Sequence, residues 1–206
     1  MITESPRPFP IMPPLLHDPW LERWLPSIAR YAQQGPILEL GCGPGDDTAT
    51  LAAAGHPVIA LDRSPAAVAQ TRARVPGAEV HQQDVRAPFP VGPGGASVIL
   101  ASLSLHYFAW PETCDLVARI HQTLAPRGLF LCRVNSTADH HFGARGHPEI
   151  AQNYYSVNGE PKRFFDRPTL LKLFTPAWTL LSIEEQLTHK YEQPKALWEL
   201  ALEAKA

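Results

Sequence analysis

The chain has 206 residues, of which 45% are apolar and 18% charged, so one sizeable core is expected and wholesale disorder is excluded. Lysine and arginine total 18 against 20 aspartates and glutamates, a near-neutral balance that argues against nucleic acid as the principal partner. Three cysteines without CxxC spacing (Cys42, Cys114, Cys132) speak against a disulfide framework or a cysteine-only zinc site and fit a reducing cytoplasm. No apolar run approaches the roughly 18 residues of a membrane span, and no basic-then-apolar leader opens the chain.

Proline marks the N-terminus. Pro6, Pro8, Pro10, Pro13 and Pro14 exclude a helix, because each removes a donor and biases its predecessor to extended geometry. Residues 1–17 therefore read as an extended proline-rich arm or a disordered tail. Asp18-Pro19 has the form of an N-cap and a first-turn proline. Trp20, Leu21, Trp24, Leu25 and Ile28 then recur at helical spacing to about Tyr31.

A repeating order follows. Apolar runs at 36–40, 58–61, 78–83, 97–105 and 129–134 predict strands. Stretches at 47–54, 65–75 and 110–124 predict helices, with Ser64 capping the second. Continuous apolar strands alternating with helices imply a doubly wound α/β fold, a mostly parallel sheet with helices on both faces. Residues 135–162 lack a sustained period and read as a functional loop or a partly helical cover. Residues 166–174 resemble a short capped helix, and 178–187 a strand. Residues 195–204 are strong helix formers, yet could supply a final strand if the sheet needs one.

The most informative stretch is Leu40-Gly41-Cys42-Gly43-Pro44-Gly45-Asp46-Asp47, where a strand ends in alternate glycines and a helix begins. Ligands of open α/β sheets bind beyond the carboxyl ends of strands at such turns. A dinucleotide site calls for G-x-G-x-x-G; here the third glycine comes one residue early, and two carboxylates follow that would repel a pyrophosphate. No Gly-Lys-Ser/Thr follows to make a P-loop. The second strand ends at Asp62, suited to accept from ribose hydroxyls. The third ends at Asp84-Val85, suited to an adenine amino group and ring nitrogen. Together these strand ends predict a site for a phosphate-free, cationic nucleoside.

The segments ELGCGPG (39–45), ALD (60–62) and QQD (82–84), with the hydrophobic fourth strand, resemble class I S-adenosylmethionine-dependent methyltransferases over about residues 37–134. The resemblance implies a seven-stranded sheet and tips 196–202 towards strand. It implies that Glu39 and the Gly41, Gly43 and Gly45 backbone hold the methionine part of the cofactor, Asp62 the ribose, and Asp84 with Val85 the adenine. It also implies a single domain over 18–206, with a cofactor half at about 36–134 and a substrate side beyond. The fourth-strand and RVNST stretches are similar to the bacterial tellurite-resistance type.

On the substrate side, His106 at the end of strand four reads equally as a general base or as a buried histidine satisfied by backbone. Arg133 could pair an anionic acceptor. His140 and His141 read as solvated, and no spacing supports a metal site among the histidines. Tyr154, Tyr155, Phe164 and Phe165 could lid the pocket, core packing being the default for the two phenylalanines. The expected function is methyl transfer to a small-molecule acceptor, without nucleic acid or membrane as partner. A nicotinamide-dependent oxidoreductase and a non-catalytic S-adenosylmethionine-binding protein are the alternatives.

Overall fold

The computed structural model describes residues 18–143 and 145–206, so the arm expected at 1–17 lies outside the described residues. A 3-10 turn, Pro19–Trp24, leads into α1 (Leu25–Tyr31). One continuous helix had been expected here. Pro26 explains the break, because it cannot donate to the Glu22 carbonyl one turn earlier and its ring crowds that carbonyl.

The alternation then unfolds as β1 (Ile37–Leu40), α2 (Asp46–Ala53), β2 (Val58–Asp62), α3 (Pro65–Arg74), β3 (Glu79–Gln82), β4 (Ala96–Ser102), α4 (Trp110–Thr123) and β5 (Leu124–Asn135). After a small sheet come α5 (Arg167–Phe174), β9 (Trp178–Thr188) and β10 (Lys195–Ala204). The main sheet has seven strands in the order β3-β2-β1-β4-β5-β10-β9. The first five are mutually parallel, and β10 runs antiparallel to both neighbours. Strand order reverses between β1 and β4, which opens a crevice at their carboxyl ends.

Side chains alternate across this sheet with period two. Leu38, Leu40, Ile99, Phe130 and Cys132 face α4 and α5, meeting Leu116, Ile120 and Phe174. Ile37, Val98, Leu100, Leu129 and Leu131 face the other way, onto Ile28, Leu51 and Val68. Ser64 and Asp166 cap α3 and α5 by accepting from Ala67 N and Thr169 N. Among the described residues, no helix is long and apolar enough to cross a membrane.

Two segments depart from propensity. Residues 195–204 form strand β10 rather than a helix, because the slot between β5 and β9 offers ladder partners on both edges of a buried strand. Trp198, Leu200, Leu202 and Ala204 enter the core, while Glu199 and Glu203 point to the opposite face. There Glu199 accepts from Arg23 and from Trp24 Nε1 at 2.8 Å, and Glu203 accepts from the Tyr31 hydroxyl at 2.6 Å.

The segment expected to be loop or helical cover is instead a three-stranded antiparallel sheet: β6 (Glu149–Ala151), β7 (Tyr154–Val157) and β8 (Glu160–Arg163). Asn158 and Gly159 join β7 to β8, both with positive φ (53° and 84°), as a two-residue hairpin of matching twist requires. Arg163 fastens this sheet to the body. It donates to the carbonyls of Phe108 and Gln152, and its guanidinium lies over the rings of Tyr154 and Trp110.

Leu200 is fully buried at the centre of β10. Leu200→Ala is expected to lower the unfolding free energy by about 2–5 kcal/mol, read from urea denaturation, with the far-ultraviolet dichroism of the folded state unchanged.

Candidate active site

The loop after β1 is held by the end of β2. Amides of Gly41 and Cys42 donate to the Leu61 carbonyl at 2.8 and 2.9 Å. The Asp62 carboxylate accepts from Gly43 N at 2.9 Å and from Ser64 N at 2.8 Å, so it orders both loops at once. Gly41 has φ +81°, and a Cβ there would lie 2.6 Å from the Ser104 Cβ. Glycine is thus required for the chain after β4 to close against the chain after β1. Gly45, at φ +84°, precedes α2 and would press a Cβ to within 2.9 Å of Thr71 Oγ1. That hydroxyl donates to the Gly43 carbonyl at 2.8 Å.

A cavity of about 560 Å³ opens at this point. Gly41, Gly43, Asp62, Asp84 and Val85 line one side, from the ends of β1, β2 and β3. Ser102, Leu103, Ser104, Tyr107 and Phe108 line the next, where β4 ends earlier than expected in a turn with Leu103 at φ 55°. Glu160 and Lys162 of β8 and Tyr191 of the β9–β10 loop complete it, beside Arg63. The Arg63–Glu160 ion pair at 3.7 Å bridges the small sheet to the end of β2.

The sequence-predicted residues divide. Gly41, Gly43, Asp62, Asp84 and Val85 meet on this one cavity. Asp84 is held below the usual carboxylate range by hydrogen bonds from the Arg86 side chain, and its carboxylate also accepts from the Arg86 amide. Glu39 does not line the cavity. It is buried behind the glycine loop and accepts from Thr48 Oγ1, and burial, reinforced by the nearby Asp47, pushes it well above the ordinary carboxyl range. Its position favours bracing α2 against β1 over touching a ligand.

The acidic first turn of α2 also differs from expectation. Asp46 pairs with Arg74 and Lys190, and Asp47 accepts from Trp20 Nε1 at 2.9 Å. Partial burial disfavours the charge on Asp46, but the Lys190 and Arg74 bonds outweigh it and lower its pKa. These carboxylates are engaged by the protein itself, so they do not act as a free negative patch.

Arg133, expected to meet an anionic acceptor, is 3% exposed and committed internally. It pairs with Asp18 at 2.6 Å, donates through Nε and Nη2 to Ser102 Oγ at 3.0 and 2.9 Å, and lies 4.2 Å from the Trp20 ring centroid. An ionised group buried this way is stable because every strong donor finds a partner. Arg133 therefore touches the cavity only through Ser102.

His106 sits in the 3-10 turn Leu105–Tyr107, 4% exposed, with its ring centroid 4.3 Å from that of Tyr107. Its Nδ1 has no partner among the described residues. Burial, with the charges of Lys195 and Lys162, lowers its pKa well below the ordinary imidazole value, so the ring is neutral. His106 does not line the cavity. Phe164 and Phe165 are in the core, and Tyr154 donates to the Tyr107 carbonyl at 3.2 Å; none of the expected lid aromatics lines the cavity. The aromatics that do are Tyr107, Phe108 and Tyr191. Lys162 and Tyr191 escaped sequence reasoning because their segments showed no periodicity to place them. Among the described residues, no group of three or more His, Cys, Asp or Glu could hold a metal ion.

Residues 37–128 match the family model of the methyltransferase domain. Over these residues the chain is similar to methyltransferase domains. An uncharacterised methyltransferase of Synechocystis sp. is 32% identical over 94 residues, 46% of this chain and 44% of that protein. A trans-aconitate 2-methyltransferase of Methylobacterium nodulans is 35% identical over 106 residues, 49% of this chain and 39% of that protein. The chain thus spans less than half the length of these relatives. In overall fold it is similar to a crystal structure of a SAM-dependent methyltransferase from Methanosarcina mazei, with TM-score 0.74, 14% identity, and 87% and 97% of the two chains covered. It is also similar to 1,6-didemethyltoxoflavin-N1-methyltransferase of Burkholderia thailandensis, with TM-score 0.65, 22% identity, and 92% and 82% covered. The nicotinamide-dependent alternative finds no support among these likenesses.

Arg133→Ala would leave the Asp18 carboxylate without its cation and Ser102 Oγ without its donor. It is expected to cost about 3–5 kcal/mol in urea denaturation, more than any effect of Arg133→Lys. A second outcome concerns pH. Folding lowers the His106 pKa, so as pH falls below about 6.5 the unfolded chain takes up this proton first. His106 thus favours the folded state fully above that range and less below it. Urea midpoints measured from about pH 8 to about pH 5 should fall more steeply in the parent than in His106→Gln.

Proposed function

We propose that the chain is an S-adenosylmethionine-dependent methyltransferase acting on a small-molecule acceptor. The observation that carries this reading is the cavity at the β1/β4 switch point, where the carboxylates of Asp62 and Asp84 share one space with the amide-lined glycine loop. About 560 Å³ is within the range of nucleoside and cofactor pockets, roughly 300–1,000 Å³.

The residues suit the cofactor chemically. Asp62 keeps lone pairs beyond those taken by Gly43 and Ser64, and these can accept from the two hydroxyls of a ribose. Asp84 can accept from an exocyclic amino group while Arg86 holds it ionised, and the Val85 amide lies beside it for a ring nitrogen. Gly41 and Gly43 let a ligand approach backbone without a Cβ between. Ser104 Oγ, buried on the cavity wall without a hydrogen-bond partner, is a free polar group there. The sulfonium of the bound cofactor would supply an activated methyl group, so the chain's task is to orient the acceptor and exclude water.

In this reading Glu39 and Arg133 are positioning residues. Glu39 braces the glycine loop through Thr48, and Arg133 sets Ser102 at the end of β4. His106, neutral and buried beside Tyr107 but off the cavity wall, supports the Tyr107 turn and does not reach an acceptor directly. The main sheet with the glycine loop forms a cofactor half at about 36–134, and the small sheet with the β9–β10 loop forms the substrate side. The near-neutral charge favours a small acceptor over a nucleic acid, and three free thiols suit a cytoplasmic location.

Calorimetry with S-adenosylhomocysteine tests the reading. The parent should bind, and Asp62→Ala should bind about 10- to 100-fold more weakly, the cost of losing charge-assisted hydrogen bonds. Equal affinity in the two proteins would overturn the assignment. Methyl transfer from labelled cofactor to an acceptor panel separates an enzyme from a binding protein.

A further inference from the structure

The cavity wall carries groups of both kinds, the carboxylates of Asp62, Asp84 and Glu160 and the donors Arg63, Lys162, Tyr107, Tyr191 and Ser104. We propose that Lys162 forms an anion subsite of this cavity and binds a carboxylate group of the acceptor, assisted by hydroxyl donors of the same wall. This inference rests on the methyltransferase reading and specifies its substrate class.

Four observations carry it. First, Glu160, which shares the cavity wall with Lys162, pairs with Arg63. Lys162 itself has no ion-pair partner among the described residues, although it is half-buried on the cavity wall. A cation held this way in a partly desolvated cleft favours an anionic ligand.

Second, the same cavity wall carries hydroxyl donors that the fold leaves unused. Neither the Tyr107 nor the Tyr191 hydroxyl has a hydrogen-bond partner among the described residues, and Ser104 Oγ is buried and unsatisfied. Burial, with Tyr191 close by, raises the Tyr107 pKa, which keeps this phenol a donor. Third, the subsite is built on anchored elements. The Tyr191 ring lies 5.9 Å from Lys195 Nζ, whose ion pair with Asp139 is nearly buried, and Arg163 pins β8 to the Phe108 carbonyl. Fourth, the charge of Lys162 reaches inward, being one of the cations that disfavour protonation of His106 and of Lys195.

The cofactor's own amino-acid carboxylate has the same chemistry, so the test must separate the two sources. Calorimetry would first measure S-adenosylhomocysteine binding to the parent, to Lys162→Met and to Lys162→Arg. Acetate, succinate and citrate would then be titrated into each protein saturated with S-adenosylhomocysteine, with triethyl citrate as the uncharged control. The proposal expects at least one carboxylate to bind the loaded parent and the ester not to bind. It expects Lys162→Met to weaken that binding at least tenfold, Lys162→Arg to restore most of it, and S-adenosylhomocysteine affinity to stay within about twofold.

Carboxylate affinity unchanged in Lys162→Met overturns the proposal. So does a tenfold loss of S-adenosylhomocysteine affinity with carboxylate binding intact, which assigns the ammonium to the cofactor. A loaded parent that binds none of the three carboxylates overturns it while leaving the methyltransferase reading standing. A parent that fails to bind S-adenosylhomocysteine overturns that reading itself. Because Lys162 makes no ion pair among the described residues, thermal midpoints of both variants should match the parent, so weakened binding would not reflect unfolding.

Discussion

The bond from the Gly43 amide to the Asp62 carboxylate is the contact on which the site depends. It joins the loop after β1 to the end of β2, while the other Asp62 oxygen accepts from Ser64 and sets the start of α3. A single carboxylate thereby fixes two ligand-facing loops. The geometry also requires that nothing project from Gly41, because the chain leaving β4 packs directly against it. Parallel strands bring these ends together on one edge of the sheet, and the reversal of strand order keeps them from being covered.

Charged groups outside the cavity serve the same end by committing to one another. Asp18, Arg133, Trp20 and Asp47 form a chain of contacts that docks the segment before α1 onto the start of α2 and the end of β5. Arg23 and Glu199 do the same between that segment and β10. Buried pairs of this kind contribute little net stability over an apolar replacement, but a missing member would leave a buried charge, which makes the arrangement specific. Asp62 and Lys162, which face the cavity, make no such ion pair among the described residues.

The small sheet adds a further wall to the crevice. A crevice at the sheet edge alone would leave a ligand open to water on one side. Glu160 and Lys162 on β8 cover that side, and Arg163 anchors them through a carbonyl of the very turn that bears Tyr107 and Phe108. Wall and roof are thereby mechanically joined. The roof is β-structure because β7 and β8 are linked by a two-residue turn whose positive φ values Asn and Gly tolerate.

Much of this was legible from local pattern. Strands β1, β2 and β4 announce themselves as apolar runs, and the endings GxGxG, Asp62 and Asp84 identify one shared site before any coordinate is known. The Asn158-Gly159 pair was a hairpin signal overlooked amid an aperiodic stretch. In β10 the alternation of Trp198, Leu200 and Leu202 with Glu199 and Glu203 was visible, but helix-forming residue types masked it. Sequence by itself determined the order of elements and the acidic strand ends, because burial of alternating faces and glycine stereochemistry act over a few residues. Tertiary structure alone decided that Arg133 meets Asp18, that Glu39 lies buried against Thr48 behind the glycine loop, and that Lys162 faces the cavity. Those outcomes depend on which charges, far apart in the chain, find partners first when the layers close, and no local pattern carries that information.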